Sequence, residues 1–195
     1  MPTYLIDYGE VISQPQDPRS IDELIAVTGM DRIDFTANYW AFRPAYDAGQ
    51  SAHGYWKNVL AQSVPIDPNT LKTLVEIDIA GWMHFDRDSV AWIENQHRRG
   101  SKLHLLSNAP NELASAIAGS ELARFFDQLI FSASLKMVKP NLEIFSQAHT
   151  AIGGCAEDII FIDDRAENIS AAKQYGMQAH LYIGKSTFAN LADRN

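Results

Sequence analysis

Four short polar clusters stand out against long apolar runs: Asp7-Tyr8-Gly9, Ser107-Asn108, Lys139-Pro140 and Asp163-Asp164. Brought together, Asp7, Asp163 and Asp164 would repel one another unless a cation lay among them. Their hard oxygen donors suit Mg2+, which retains waters that a phosphate oxygen can replace. Lys139 would offset the remaining negative charge and pair with a phosphate oxygen. The Ser107 hydroxyl and adjacent backbone N–H groups would hold another. A carboxylate attacking phosphorus needs such surroundings, because transition-state charge must be neutralised by metal, lysine and hydrogen-bond donors. Taken singly, each cluster has a plainer reading. Asp7 can end a strand and begin a turn, and Ser-Asn is ordinary turn chemistry. Asp-Asp can cap a helix and favour its dipole, and Lys-Pro can be an exposed lysine before a rigid helix start. What separates the two readings is whether the fold brings the clusters to one place.

The elements that must do so are legible. Thr3-Tyr4-Leu5-Ile6 is strand-forming and ends in Asp7, and Gly9 permits a sharp turn with close backbone approach. Lys102 to Leu106 reads as a strand ending at Ser107-Asn108. Asp158 to Ile162, the most apolar strand, ends at Asp163-Asp164. Further strands are expected at Leu129 to Phe131 and Ala179 to Ile183. Helices are expected over Asp86 to Arg98, from Asn111, from Asn141, over Arg165 to Tyr175, and at the end of the chain. Such alternation predicts an α/β fold, a doubly wound parallel sheet with a Rossmann-like core. Ligands bind beyond the carboxyl ends of the strands of such sheets. Between Ser20 and Ile79 nothing reads as a strand. Helices are expected from Ser20 to Gly29, from Asp31, from Ala52 to Gln62 and from Asn69 to Ile79. An all-helical block, residues 15–83, therefore interrupts a core of residues 1–14 and 84–195.

Composition narrows the class. A hydrophobic fraction of 46% over 195 residues is ample for a buried core. The formal charge of −8 disfavours nonspecific binding to nucleic acid or anionic membrane, but a local pocket can still hold a small anion. One cysteine, Cys155, leaves no intramolecular disulfide and fits a reducing compartment. With no charged-then-apolar leader before the first strand and no run of membrane-spanning length, the expected location is cytoplasmic. The six histidines lack the short spacing of a metal site.

The ordered set Asp7-Tyr8-Gly9, Leu106-Ser107-Asn108, Lys139-Pro140 and Asp163-Asp164-Arg165-Ala166-Glu167-Asn168 resembles the four motifs of the haloacid dehalogenase (HAD) superfamily, across essentially the whole chain. The helical block resembles that superfamily's C1 cap. Residues 42–49 with Tyr55-Trp56 are similar to the cap of a phosphatase branch that includes sugar-phosphate phosphatases and the N-terminal domain of soluble epoxide hydrolases. The resemblance implies that Asp7 is the nucleophile, forming an aspartyl-phosphate that water hydrolyses. It implies Mg2+ held by Asp7, the backbone carbonyl of Gly9, Asp163 and Asp164, with Asp163 and Asn168 orienting the shell. Ser107 and Asn108 would bind phosphate, and Lys139, with Lys136 as a substitute, would pair with phosphate and the acids. Arg43 and Tyr46, read as lying between helical stretches, would face the substrate. That substrate would be a small phosphorylated metabolite, turned over by a monomer or homodimer.

One position departs from the pattern. Most phosphatases of the superfamily carry a second aspartate two residues after the nucleophile, as acid for the leaving group; here it is Gly9, followed by Glu10. A non-catalytic binding or regulatory protein on this scaffold is therefore a rival reading. A 2-haloacid dehalogenase is another, against which Gly9 and the paired acids both speak. A phosphonate-cleaving enzyme would need a cap lysine, and no motif supports Lys57 or Lys72.

Overall fold

A computed structural model of the chain describes residues 2–61 and 66–192. Five parallel strands form one sheet: β1 (Thr3–Ile6), β2 (Lys102–Ser107), β3 (Gln128–Phe131), β4 (Ile159–Asp163) and β5 (Gln178–Leu181). Their order is β3-β2-β1-β4-β5, so the first strand is central. In register, Ile6 lies beside Leu105 on one side and Ile162 on the other. The three polar strand ends therefore emerge side by side.

The strands are apolar on both faces because both are covered. Tyr4, Ile6, Leu103, Leu105 and Ile162 point one way, into a core shared with α5 (Arg87–Arg98), α6 (Asn111–Ala118) and α10 (Lys185–Ala192). Leu5, Leu106, Ile159 and Phe161 point the other way, against α8 (Leu142–Ile152) and α9 (Ala166–Tyr175). This is the two-residue period of a pleated strand. Observed bounds differ slightly from expectation: β4 extends to include Asp163, and β5 begins earlier and stops at Leu181. A four-residue helix, α7 (Ser132–Leu135), was not expected.

Between β1 and α5 come four helices, α1 (Pro18–Thr28), α2 (Arg32–Asp47), α3 (Ala52–Val59) and α4 (Pro68–Trp82). The expected end of the third helix at Gln62 lies outside the described residues. Each helix starts on a side-chain cap: Asp17, Asp31, Ser51 and Asp67 all accept a hydrogen bond from a first-turn N–H. Asp17 caps the first, not Ser20. Ser20 is instead buried where α1 meets α4, and a Cβ on Gly81 would sit 2.9 Å from its Cβ. The second correction concerns Arg43 and Tyr46, which lie within α2. That helix runs through Pro44, with Arg43 bonded across the proline to Asp47 one turn on and with Tyr39 and Tyr46 both buried. Tertiary packing overrides the local breaker.

The helical insert has a core of its own, built around Phe35, Tyr39, Tyr55, Trp56 and Leu74. Within it lies a buried polar knot. Asp78 accepts hydrogen bonds from Tyr39 (2.5 Å), Gln16 (3.2 Å) and Arg43 (3.2 Å), while Arg43 also donates to Tyr39 (2.7 Å) and Asp47 (2.9 Å). The two segments joining insert to core run antiparallel and bond to one another. Gln14 N–H donates to His84, Asp86 N–H to Ile12, and Asp17 N–H to Gly81.

Removing one partner of a buried ion pair strands the other charge, typically at a cost of about 3–5 kcal/mol. Asp78→Ala is expected to lower unfolding free energy by that order in urea titration. Asp22→Ala, whose partner Arg32 is exposed, should cost under about 1 kcal/mol.

Candidate active site

Asp7 leaves the sheet at the end of β1, with its N–H still bonded to the Ile162 carbonyl (2.9 Å). Its Oδ1 accepts from the Tyr8 N–H (2.7 Å) and lies 2.7 Å from Lys139 Nζ. Its Oδ2 has no hydrogen-bond partner among the described residues. Lys139 is 3% exposed and spends its three N–H groups on Asp7, Asp163 Oδ2 (2.7 Å) and the Leu106 carbonyl (3.0 Å). It is thus bonded to the acidic cluster and to the end of β2 at once. Lys136, the substitute, is exposed at the end of α7 and takes no part.

Asp163 is fully buried at the end of β4, and its carboxylate is saturated. Oδ1 accepts from the Arg165 N–H (2.8 Å) and Asn168 Nδ2 (2.9 Å), and Oδ2 from Lys139 and Asn168. Asp164, one residue on, is half-buried and lines the cavity. One oxygen from each of Asp7, Asp163 and Asp164 lies within 4.8 Å of the others. Asp163 thus holds Lys139 and Asn168, while Asp7 and Asp164 keep carboxylate oxygens without a protein partner among the described residues. The Asn168 amide oxygen is buried with no partner. A hard divalent cation fits this arrangement: unpaired oxygen donors converge, and a single ammonium group faces three carboxylates.

Ser107 is buried at the end of β2 and lines the same cavity, a space of about 150 Å³. Asn108 lines it too, and its side chain has a second task. Its amide clamps the backbone of Lys139, accepting from the Lys139 N–H (2.9 Å) and donating to the Lys139 carbonyl (3.1 Å). One amide N–H is thereby used, which leaves the second and the backbone N–H for a phosphate. Gly9 lines the floor, and a Cβ placed there would meet only the Trp82 ring, at 3.9 Å. Glu10 stands exposed at the rim with φ of 55°.

From the insert, Arg43, Asp47, Trp40 and Trp82 complete the walls. Tyr46 does not. It is buried against Tyr55, ring stacked at 4.3 Å between centroids, because its place on α2 turns it into the insert's own core. Asp47, Trp82 and Ser132 were not expected as site residues. Asp47 had a signal in the sequence, since it lies four residues beyond Arg43 and so shares its helix face. Ser132 had none: its hydroxyl donates to the Asp47 carbonyl (2.5 Å) and accepts from the Ala109 N–H (2.9 Å), bridging insert and core.

The charges are strained by burial. Desolvation pushes Asp7 up to about 7, aided by Asp163 and Asp164 and opposed by Lys139. Asp164 is pushed up to about 6 by burial, then by Asp163 and Glu10. For Lys139, burial lowers the pKa, but Asp7 and Asp163 together raise it above the ordinary lysine value. The two directions agree: the lysine gains two anions, whereas each acid has only a share of one cation.

A parallel sheet with carboxylates at the ends of its two central strands, beneath inserted helices, defines a Rossmann-like enzyme built on a carboxylate centre. Residues 11–176 match the haloacid dehalogenase-like hydrolase family, and the chain belongs to that family. The match begins after Asp7, so the position of that residue rests on the structure. A HAD family enzyme of Bacteroides thetaiotaomicron superposes with a TM-score of 0.79 at 17% identity, covering 98% of each chain. Its wild-type complex with magnesium and inorganic phosphate superposes at 0.72, at 17% identity over 93% of each chain. At that identity the likeness establishes the fold. An (S)-2-haloacid dehalogenase of Pseudomonas putida is 31% identical over 78 residues, 40% of this chain and 34% of the relative. The alignment thus spans about a third of that relative's length.

Asp7 binds its proton more tightly in the folded protein than in the unfolded chain, so its contribution to stability is full below about pH 4 and lost as pH rises through about 7. In metal-free protein, Asp7→Asn should therefore be more stable than wild type at pH 8, and the advantage should vanish by pH 4. Thermal unfolding in EDTA across that range measures it.

Proposed function

We propose that this chain is a Mg2+-dependent phosphatase of a small phosphorylated metabolite. The observation that carries the reading is the unpaired Asp7 oxygen at the end of a central strand, facing a cavity that also holds Ser107 and Asp164. Asp7, Asp164 and the Gly9 carbonyl would hold the metal, with Asp163 and Asn168 behind them. When bound, Mg2+ supplies positive charge to the phosphoryl group as negative charge develops on it. Two charges added to this site would also lower the cost of ionising Asp7, which burial otherwise keeps partly protonated near neutrality. Support for the metal comes from the Bacteroides enzyme's complex with magnesium and inorganic phosphate.

In the first step the Asp7 carboxylate attacks phosphorus and the bond to the leaving oxygen breaks, giving an aspartyl-phosphate. Water then attacks phosphorus, releasing Asp7 and inorganic phosphate. Lys139 and the Tyr8 N–H hold the Asp7 carboxylate in place. The Ser107 hydroxyl is the phosphate donor from β2. The helical insert acts as a cap, with Trp40, Trp82 and the α2 face closing over the leaving group. The partial match to the dehalogenase favours a second reading, in which Asp7 attacks carbon without metal. The convergent pair Asp7 and Asp164 speaks for the phosphatase.

Phosphate release from an aryl phosphate should require Mg2+ and be lost in Asp7→Asn, by about 10³-fold or more, since an amide is a far poorer nucleophile. Chloride release from 2-chloropropionate without metal, and no phosphate release with it, would establish the dehalogenase instead. Mg2+ should also raise the melting temperature, and Asp164→Asn should shift that response to higher metal concentration. Calorimetry showing unchanged Mg2+ affinity in the variant would remove Asp164 from the metal set.

A further inference from the structure

The proposed reaction requires a proton for the departing oxygen, and the residue two beyond the nucleophile has no side chain to give one. Four carboxyl groups line the cavity: Asp7, Glu10, Asp47 and Asp164. Asp7 is the nucleophile and Asp164 faces the acidic cluster. Glu10 is exposed at the rim, where its carboxylate adds to the charge around Asp164. Of the other groups on the wall, Tyr8 already donates its hydroxyl to the Trp82 carbonyl (2.8 Å) and Arg43 is committed to Asp47, Tyr39 and Asp78. Asp47 differs from all of these. It sits on the wall that the insert contributes, one carboxylate oxygen bonded to Arg43 Nε at 2.9 Å and the other without a protein partner among the described residues.

Its position is fixed from both sides. The Asp47 carbonyl accepts from Ser132 of the core, and two residues on, Gly49 presses on the core backbone. A Cβ at Gly49 would lie 2.7 Å from the Ala133 carbonyl oxygen, at a φ of +94°. The carboxyl group is thus held on the insert by Arg43 and over the core by Ser132, with one oxygen left for a substrate.

Resting on the phosphatase reading, we propose that Asp47 is the general acid and base of the reaction. In the first step the Asp47 carboxyl gives its proton to the leaving oxygen as the P–O bond breaks. In the second, the resulting carboxylate takes a proton from the water that attacks the aspartyl-phosphate, which restores the acid. The electrostatics agree with this use. Burial pushes Asp47 up to about 6, opposed by Arg43 and Lys139 and reinforced by Asp78, with the Tyr55 hydroxyl of α3 also nearby. A proton-transfer group works best when its pKa lies near the working pH.

The test uses phenyl phosphate and 4-nitrophenyl phosphate, leaving groups of similar shape but different basicity. Asp47→Asn should lose about a hundredfold or more in kcat/KM on phenyl phosphate, and less than about tenfold on 4-nitrophenyl phosphate, whose leaving group departs unprotonated. A second measurement needs only wild-type protein. The ratio of kcat/KM for the two substrates should fall as pH rises past about 6, a comparison in which groups common to both reactions cancel. Asp47→Glu should restore part of the phenyl phosphate activity. Equal losses on both substrates, or a wild-type ratio that does not change with pH, overturn the role of Asp47 and leave the phosphatase standing. No phosphate release from either substrate by wild-type protein with Mg2+ overturns both.

Discussion

One ammonium group among three carboxylates sets the terms for this molecule. Lys139 cannot neutralise Asp7, Asp163 and Asp164 together, and the strand ends that carry them cannot move apart without unzipping the sheet. The surplus negative charge is compressed into a buried crevice, where water screens it poorly. That cost is the source of the site's use. A carboxylate whose charge is expensive at rest interacts strongly with any cation that relieves it. The surrounding packing is what makes the arrangement last: Asn108 clamps the lysine's backbone, and Asn168 braces Asp163.

The insert repeats the theme. There a single guanidinium, Arg43, is shared by Asp47 and Asp78, and Tyr39 binds both ends of the knot. Buried charge of this kind adds little net stability, since desolvation offsets most of the attraction. What it provides is direction. The knot orients α2 against α4, so that the Asp47 end of α2 faces the sheet while Tyr46 turns inward. Ser132 then ties that end to the loop after β2. The core thus supplies Asp7 and Asp164, and the insert supplies Trp40, Arg43, Asp47 and Trp82 to the same cavity.

How much of this was legible beforehand depended on periodicity and on proximity. Strand ends are legible because apolar runs stop abruptly at Asp7, Ser107 and Asp163, and the parallel order brings those stops together. Roles inside the cluster were less so. Nothing in the sequence says that both oxygens of Asp163 are consumed, or that Asn108 spends its amide on Lys139. Asn108 and Lys139 lie 31 positions apart, and Asp163 is bonded by Lys139 from 24 positions away as well as by its near neighbours Arg165 and Asn168. Pro44 misled for a different reason. Locally it signals a break, but a buried pair one turn apart and two inward-facing tyrosines outweigh the one hydrogen bond it removes. Asp47 had only its spacing from Arg43 as a signal; the tie that fixes it to the core comes from Ser132, on a short helix with no periodic signal.

The position of β1 carries a consequence for how the protein is made. It comes first in the chain, yet it pairs with residues 102–105 on one edge and 159–162 on the other. While a ribosome is still producing the helical insert, this strand has neither neighbour, and four apolar or β-forming residues beside a reactive carboxylate have no sheet to join. The insert, whose contacts are mostly among its own helices, can settle meanwhile, but the site cannot exist until β4 has emerged. The site therefore assembles only once both neighbouring strands have been made, and until then β1 is an apolar segment without a partner.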